Sequence, residues 1–263
     1  GVCGSDLRGY TGETGRRVAP MIMGHEGAGE VVAVGAGVDR GWLGKRVLLY
    51  PTIPCRTCVW CQVGRTNLCQ NRRIVGARST NGAMAERVVV PEANLRPLPD
   101  TMSFVQGALV EPLAVGIHAS KRAGDLRGQS VLIIGSGSIG LLTLVAALQS
   151  GAACVVTADL IPKRRATARA LGAAAALDPT DDGWKQHLAG VVGSPAVDVA
   201  VDAVGTPDAF ELAVAGVGPA GTVVAIGGWR PVPLDLDRLM HLELEVKGTF
   251  GFISKEFDES LRW

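Results

Sequence analysis

The sequence is short of aromatic residues, of net charge and of charge clusters. Phe, Trp and Tyr together make up 5 % of its 263 residues, and the formal net charge is +1. With few rings to stack on bases, near-zero net charge and few basic runs, nucleic-acid and membrane-surface roles are set aside, leaving a small molecule as the expected partner. No opening stretch reads as a secretory signal, so the expected compartment is the cytoplasm. Glycine is abundant, at 35 residues, but follows no period, which excludes collagen-like and low-complexity chains. The first residues, Gly1 to Asp6, read as the middle of a motif, and Glu256 to Trp263 as a helix cut mid-course. The expectation is a segment lacking both ends of a longer protein.

Charged residues are also missing from Val131 to Ala158, a stretch long enough to cross a bilayer by the rule of about 20 residues. Gly135, Gly137, Gly140 and Gly151 divide it, however, into a strand, a turn, a helix and a second strand. A buried parallel sheet produces the same unbroken apolar runs. Hydrophobic residues form 47 % of the chain, enough for one large or two medium cores.

Cysteine is present in a pattern. Of six, Cys55, Cys58, Cys61 and Cys69 form C-x2-C-x2-C-x7-C among Pro51, Pro54 and Gly64, a loop composition. Two-residue gaps let a backbone wrap one ion, and four thiolates suit tetrahedral zinc. Neighbours this close are poor disulfide partners, and a redox pair needs only two cysteines. Four protein ligands leave no open position, so this zinc is expected to be structural. Cys154, alone in an apolar run, reads as a small buried hydrophobe.

Val131 to Ile134 reads as a buried strand ending in Gly135-Ser136-Gly137-Ser138-Ile139-Gly140. A helical pattern follows to Gly151, then a strand from Cys154 to Ala158 ending in Asp159. A G-x-G-x-x-G alone says little. After a strand, opening a helix and followed by an acid at about 20 residues, it is a dinucleotide fingerprint. Gly135 serves the tight turn, Gly137 the approach of pyrophosphate and Gly140 helix–strand packing. Asp159 would accept from the ribose hydroxyls and repel a 2′-phosphate, which favours NAD over NADP. Lys163, Arg164 and Arg165 follow. Arg164 is a candidate at the cofactor, the other reading being a solvated helix face.

Further strands are expected at Ala173–Leu177, Val197–Val201, Thr222–Ile226 and Leu244–Phe250, with helices over Trp184–Val192 and from Phe210. That alternation means a doubly wound parallel sheet with ligands at the strands' carboxyl ends. Gly205, Gly227 and Phe250 are candidates for lining the cofactor path. Residues 1–110 differ, with short apolar runs (Glu30–Val34, Arg46–Tyr50, Glu86–Val90) between glycines and prolines, a β-rich pattern. Inside it stand Cys3 and Gly24-His25-Glu26-Gly27, and beyond it Glu111-Pro112. A catalytic zinc needs about three protein ligands and one open position. Cys3, His25 and either Glu26 or Glu111 would supply them.

These motifs, in this order, resemble the zinc-containing medium-chain dehydrogenases, and among them the polyol branch of sorbitol, 2,3-butanediol and threonine 3-dehydrogenases. The resemblance implies a GroES-like catalytic domain over residues 1–112 and an NAD-binding Rossmann domain over 113–263. It implies one catalytic and one structural zinc, with Cys3, His25 and Glu26 as catalytic ligands and Glu111 as the exchanging carboxylate. It further implies that Ser5 passes on the alcohol proton, and that the assembly is a homodimer or homotetramer. Relatives often carry a histidine where Arg8 stands, and arginine cannot take up a proton at neutral pH. The expected reaction takes hydride from a secondary alcohol or polyol to NAD. Threonine or a sugar-phosphate alcohol is an alternative substrate. A catalytically silent relative and a nucleic-acid-binding zinc ribbon are the competing classes.

Overall fold

A computed structural model describes residues 1–77, 80–228 and 231–263. They form two units: Gly1–Ala114 with Phe252–Trp263, and Val115–Gly251.

In the first unit, glycine and proline keep the elements short. They are α1 (Gly4–Tyr10), β1 (Ala28–Glu30), β2 (Arg46–Leu49), β3 (Thr52–Ile53), α2 (Val59–Gln62), β4 (Arg73–Ile74), β5 (Leu95–Pro97) and the start of α3 (Phe104–Ala123). β2 lies between β1 and β5, antiparallel to both, with Leu48 opposite Ala28 and Arg96. β3 pairs with β4, Thr52 opposite Ile74, and the four cysteines lie between these strands in the chain. The Asn94 side-chain amide donates to the carbonyls of Tyr50 (2.7 Å) and Thr52 (2.9 Å), tying β5's approach to β3.

Two expectations change here, and one helix was not expected. The run Glu30–Val34 is strand only up to Glu30, and Glu86–Val90 forms no strand. Val89 is 94 % exposed, and Glu86–Val90 has no ladder partner among the described residues. α3 holds Gly107, Pro112 and Gly116, residues that read as helix breakers. Packing explains the two glycines: a Cβ at Gly107 would press on Leu48, and one at Gly116 on the backbone of Leu142.

The second unit follows its expected alternation closely. Its elements are β6 (Ser130–Ile134), α4 (Ser138–Gln149), β7 (Cys154–Ala158), α5 (Pro162–Ala170), β8 (Ala175–Leu177), α6 (Trp184–Val192), β9 (Val197–Asp202), α7 (Pro207–Gly216), β10 (Val217–Ala225), α8 (Leu236–Leu242) and β11 (Glu245–Gly248). The sheet runs β11-β10-β9-β6-β7-β8, every neighbour parallel. Alternate residues face opposite layers. Leu132, Val156, Ala200 and Val223 pack with Leu188 and Phe210, while Val131, Ile133, Val155 and Val199 pack with Leu144 and Ala147. α7 begins at Pro207, before the expected Phe210, because the Thr206 hydroxyl caps the Ala209 amide. No described helix is long and apolar enough to cross a membrane.

The chain then returns to the first unit. Phe252 and Phe257, the latter on α9 (Ser254–Ser260), meet Tyr50 with ring centroids 6.0 and 5.4 Å away. Arg96 donates to Asp258 (2.7 Å), and the Ser260 hydroxyl donates to the Val110 carbonyl (2.9 Å). The expected division at 112/113, with all later residues in the nucleotide half, therefore differs at the carboxyl end. Buried rings and an ion pair bind residues 252–263 to the first unit.

Candidate active site

The four-cysteine lobe gathers its sulfurs within 4.8 Å of one another. Cys61 Sγ lies 3.6 Å from Cys58 Sγ and 4.0 Å from Cys55 Sγ. Four sulfurs at about 2.3 Å from a tetrahedral zinc stand roughly 3.8 Å apart, so the donor set fits that ion. Amides point at the sulfurs: Cys58 N–H at Cys55 Sγ and Cys55 N–H at Cys69 Sγ, both at 3.4 Å. The Thr57 hydroxyl and neighbouring amides hold the Cys55 thiol down to about 6. Burial, with Cys58 beside it, pushes Cys61 up to about 12. All six cysteines are free thiols.

A second group converges elsewhere in the same unit. Ligand-type atoms of Cys3, His25 and Glu26 lie within 4.8 Å of one another. Cys3 immediately precedes α1. His25 follows Gly24, whose φ of +99° suits glycine. A Cβ on Gly76 or Gly82 would overlap the Gly24 carbonyl, so these glycines let the backbones pack beneath the ligands.

Asp6 lies at the centre of this group. It is 2 % exposed, its Oδ2 accepts from the Cys3 amide (3.1 Å) and its Oδ1 from Arg17 Nη2 (2.7 Å). Oδ1 also stands 3.4 Å from His25 Nδ1. Burial opposes its charge, but His25, the Cys3 amide and Arg17 hold its carboxyl below the ordinary value. Burial would lower His25, yet Asp6, Cys3 and Glu111 raise it to about 11. Glu111 on α3 is pushed up to about 7, by burial first and by Glu26 and Asp6, against the pull of His25. Burial also raises Glu26. The Ser5 hydroxyl accepts from Arg17 Nη2 at 3.0 Å. This crowd of acids and one imidazole has the composition of a cation site with exchangeable protons.

In the other unit, Gly135 leaves β6 with φ +91°, and a Cβ on Gly140 would overlap the Gly135 carbonyl. A Cβ on Gly137 would meet nothing within 4 Å, leaving open space before the first turn of α4. Ile139 lies in that first turn, its carbonyl accepting from the Thr143 hydroxyl (2.8 Å). Asp159 Oδ2 accepts from Ser136 N–H (2.7 Å) and Oδ1 from Ile161 N–H (2.8 Å). Arg164 Nη1 lies 3.6 Å from Asp159 Oδ2 with its side chain half exposed, so it is paired as well as solvated. Gly205 and Gly227 lie so close, beyond β9 and β10, that a Cβ on either would strike the other's backbone. Phe250 lies beyond β11 at the same edge and is 38 % exposed. Asp202, not anticipated from the sequence, builds this edge: its Oδ1 accepts from the amides of Val204 and Gly205, both at 2.9 Å.

Residues 1–100 match the family model of the alcohol dehydrogenase GroES-like domain, and residues 138–263 that of the zinc-binding dehydrogenases. The sorbitol dehydrogenase of Bacillus subtilis strain 168 is 33 % identical over 257 residues, covering 96 % of this chain and 73 % of that protein. The chain belongs to the zinc-binding dehydrogenase family. Galactitol-1-phosphate dehydrogenase from Escherichia coli superposes with a TM-score of 0.90 at 31 % identity, over 100 % of this chain and 78 % of that one. The 2R,3R-butanediol dehydrogenase of Bacillus subtilis gives 0.86 at 33 % identity, over 100 % and 77 %. The family is one of oxidoreductases acting on CH–OH groups, built from a GroES-like and a Rossmann-type domain.

Proposed function

We propose that this chain oxidises a secondary alcohol of a polyol to a ketone with NAD, using Cys3, His25 and Glu26 to hold a catalytic zinc. The convergence of those three side chains within 4.8 Å carries the reading. Cys55, Cys58, Cys61 and Cys69 hold a second, structural zinc. The bound groups supply Lewis acidity toward the alcohol oxygen and a hydride acceptor.

The protein's own residues prepare the rest. Ser5 Oγ receives the alcohol proton and gives up its own. Glu111, a buried carboxyl on α3 whose charge interacts with His25 and Glu26, is read as the carboxylate that exchanges at this site. Gly137 leaves room for the pyrophosphate, and the amides opening α4 face it. Asp159 keeps lone pairs for ribose hydroxyls beyond its two backbone partners, and its charge disfavours a 2′-phosphate. Gly205, Gly227 and Phe250 border the cofactor's path. Six unpaired thiols fit the cytoplasm, and the chain is read as a subunit of a homodimer or homotetramer.

The test is a panel of sorbitol, xylitol, 2,3-butanediol, threonine and a hexitol phosphate with NAD, followed by nicotinamide absorbance. Turnover of a neutral polyol supports the assignment. Exclusive turnover of threonine or the phosphate ester would move it to the alternative substrate class, and none at all would leave a silent relative.

A further inference from the structure

Arg17 belongs to no motif, yet its guanidinium is buried beside the candidate zinc site. Its side chain is 5 % exposed, and one nitrogen, Nη2, donates both to Ser5 Oγ (3.0 Å) and to Asp6 Oδ1 (2.7 Å). It reaches them across α1 at Gly9, where a Cβ would overlap the arginine's Cδ. Its Nε is buried with no hydrogen-bond partner. A buried ion pair is a weak source of stability unless every donor is satisfied, and apolar side chains of similar volume often serve as well. An incompletely satisfied guanidinium beside Ser5 calls for another reason.

We propose that Arg17 is a positioning residue for the reaction, holding Ser5 Oγ and Asp6 in place through one nitrogen, and that Gly9 is the gap through which it does so. This rests on the functional assignment above. Asp6, fixed by Arg17, accepts from the Cys3 amide and stands 3.4 Å from His25 Nδ1, which makes no hydrogen bond; in the assignment above, His25 Nε2 is the ring nitrogen left for the metal. By donating to Ser5 Oγ, Arg17 turns the hydroxyl proton away from itself and leaves a lone pair for the alcohol's proton. A guanidinium cannot accept a proton. Arg17 therefore closes the route from Ser5 to Asp6, and the proton leaves Ser5 on its other side.

The zinc-loaded chain tests this with Arg17→Met, Arg17→Lys and Gly9→Ala, each alone, and with Arg17→Lys again in a Ser5→Ala background. The readouts are kcat and KM on an alcohol the wild type oxidises, and the rate at which a chelator extracts zinc. Arg17→Met should cut kcat roughly 10–100-fold and speed release of one zinc of two, as loss of an outer partner of a metal ligand does. KM for NAD should hold. Gly9→Ala should move both readouts the same way. Arg17→Lys should restore zinc retention but, with Ser5 present, still cut kcat about fivefold or more, while in the Ser5→Ala chain it should change kcat by no more than about twofold, the signature of action through Ser5. Arg17→Met with unchanged kcat and zinc release would overturn the proposal. So would Arg17→Lys costing the same factor with and without Ser5. If Arg17→Met does not fold, the lysine cycle decides alone. A wild type that oxidises no alcohol would defeat the functional assignment, while zinc release would still decide whether Arg17 secures the site.

Discussion

The Val115–Gly251 unit buries valines, leucines and isoleucines on both faces of six parallel strands. The Gly1–Ala114 unit, by contrast, is built on strands of two to four residues, and puts Asp6, His25, Glu111 and Cys69 in its interior. One unit stands on apolar area on both faces of its sheet; the other places ionisable and thiol side chains in its interior, among them the proposed ligand groups. In the first unit, the groups we propose as metal ligands are also groups that hold the chain together. In the second, the proposed cofactor surface is a loop edge laid over a core that stands without it.

Four substitutions can break or sharpen that contrast. Cys58→Ser removes one sulfur of the lobe, and structural zinc contributes on the order of 10 kcal/mol in small zinc-dependent folds. Amide exchange should rise throughout 50–75 while β6 to β11 keep their protection; uniform loosening of both units would erase the distinction. Leu132→Ala empties a fully buried position in the sheet and should cost about 2–5 kcal/mol by denaturant unfolding. Zinc content should stay the same, and loss of metal would show the units to be one system. Gly137→Val projects into open space, so thermal stability should hold while NAD affinity, read by titration, falls about tenfold or more. A parallel drop in melting temperature would place that glycine in the core's service instead. Arg164→Ala breaks a half-exposed pair with Asp159 and should shift NAD affinity by no more than about 1 kcal/mol. A larger loss would make Arg164 a principal cofactor contact.

Legibility followed the same contrast. β6, the fingerprint, α4 and β7 could be placed from the apolar run Val131–Ile134 and the glycines after it, because a sheet buried on both faces writes itself as continuous hydrophobicity. α3 was hidden, since Gly107, Pro112 and Gly116 signal breaks along a chain whose tertiary packing overrides them. The strand expected at Glu86–Val90 failed for a related reason: a short apolar run alone forms no strand without a paired neighbour. Cys3, His25 and Glu26 could be picked out by residue type. Arg17 could not, because its contacts with Ser5 and Asp6 depend on the path of the loop after α1 and on the gap at Gly9. The return of Phe252–Trp263 to the first unit was equally invisible, being written in ring contacts with Tyr50 that no local pattern encodes.

The most direct measurement is metal analysis of the purified chain and of its Cys3→Ser variant, with NAD reduction followed on the same samples. The account expects two zincs per wild-type chain and one in the variant. The melting temperature of the variant should be little changed, and its turnover should fall by more than the roughly 10–100-fold that an outer partner costs. A wild type holding fewer than two zincs, or a Cys3→Ser chain that turns over normally, would contradict it.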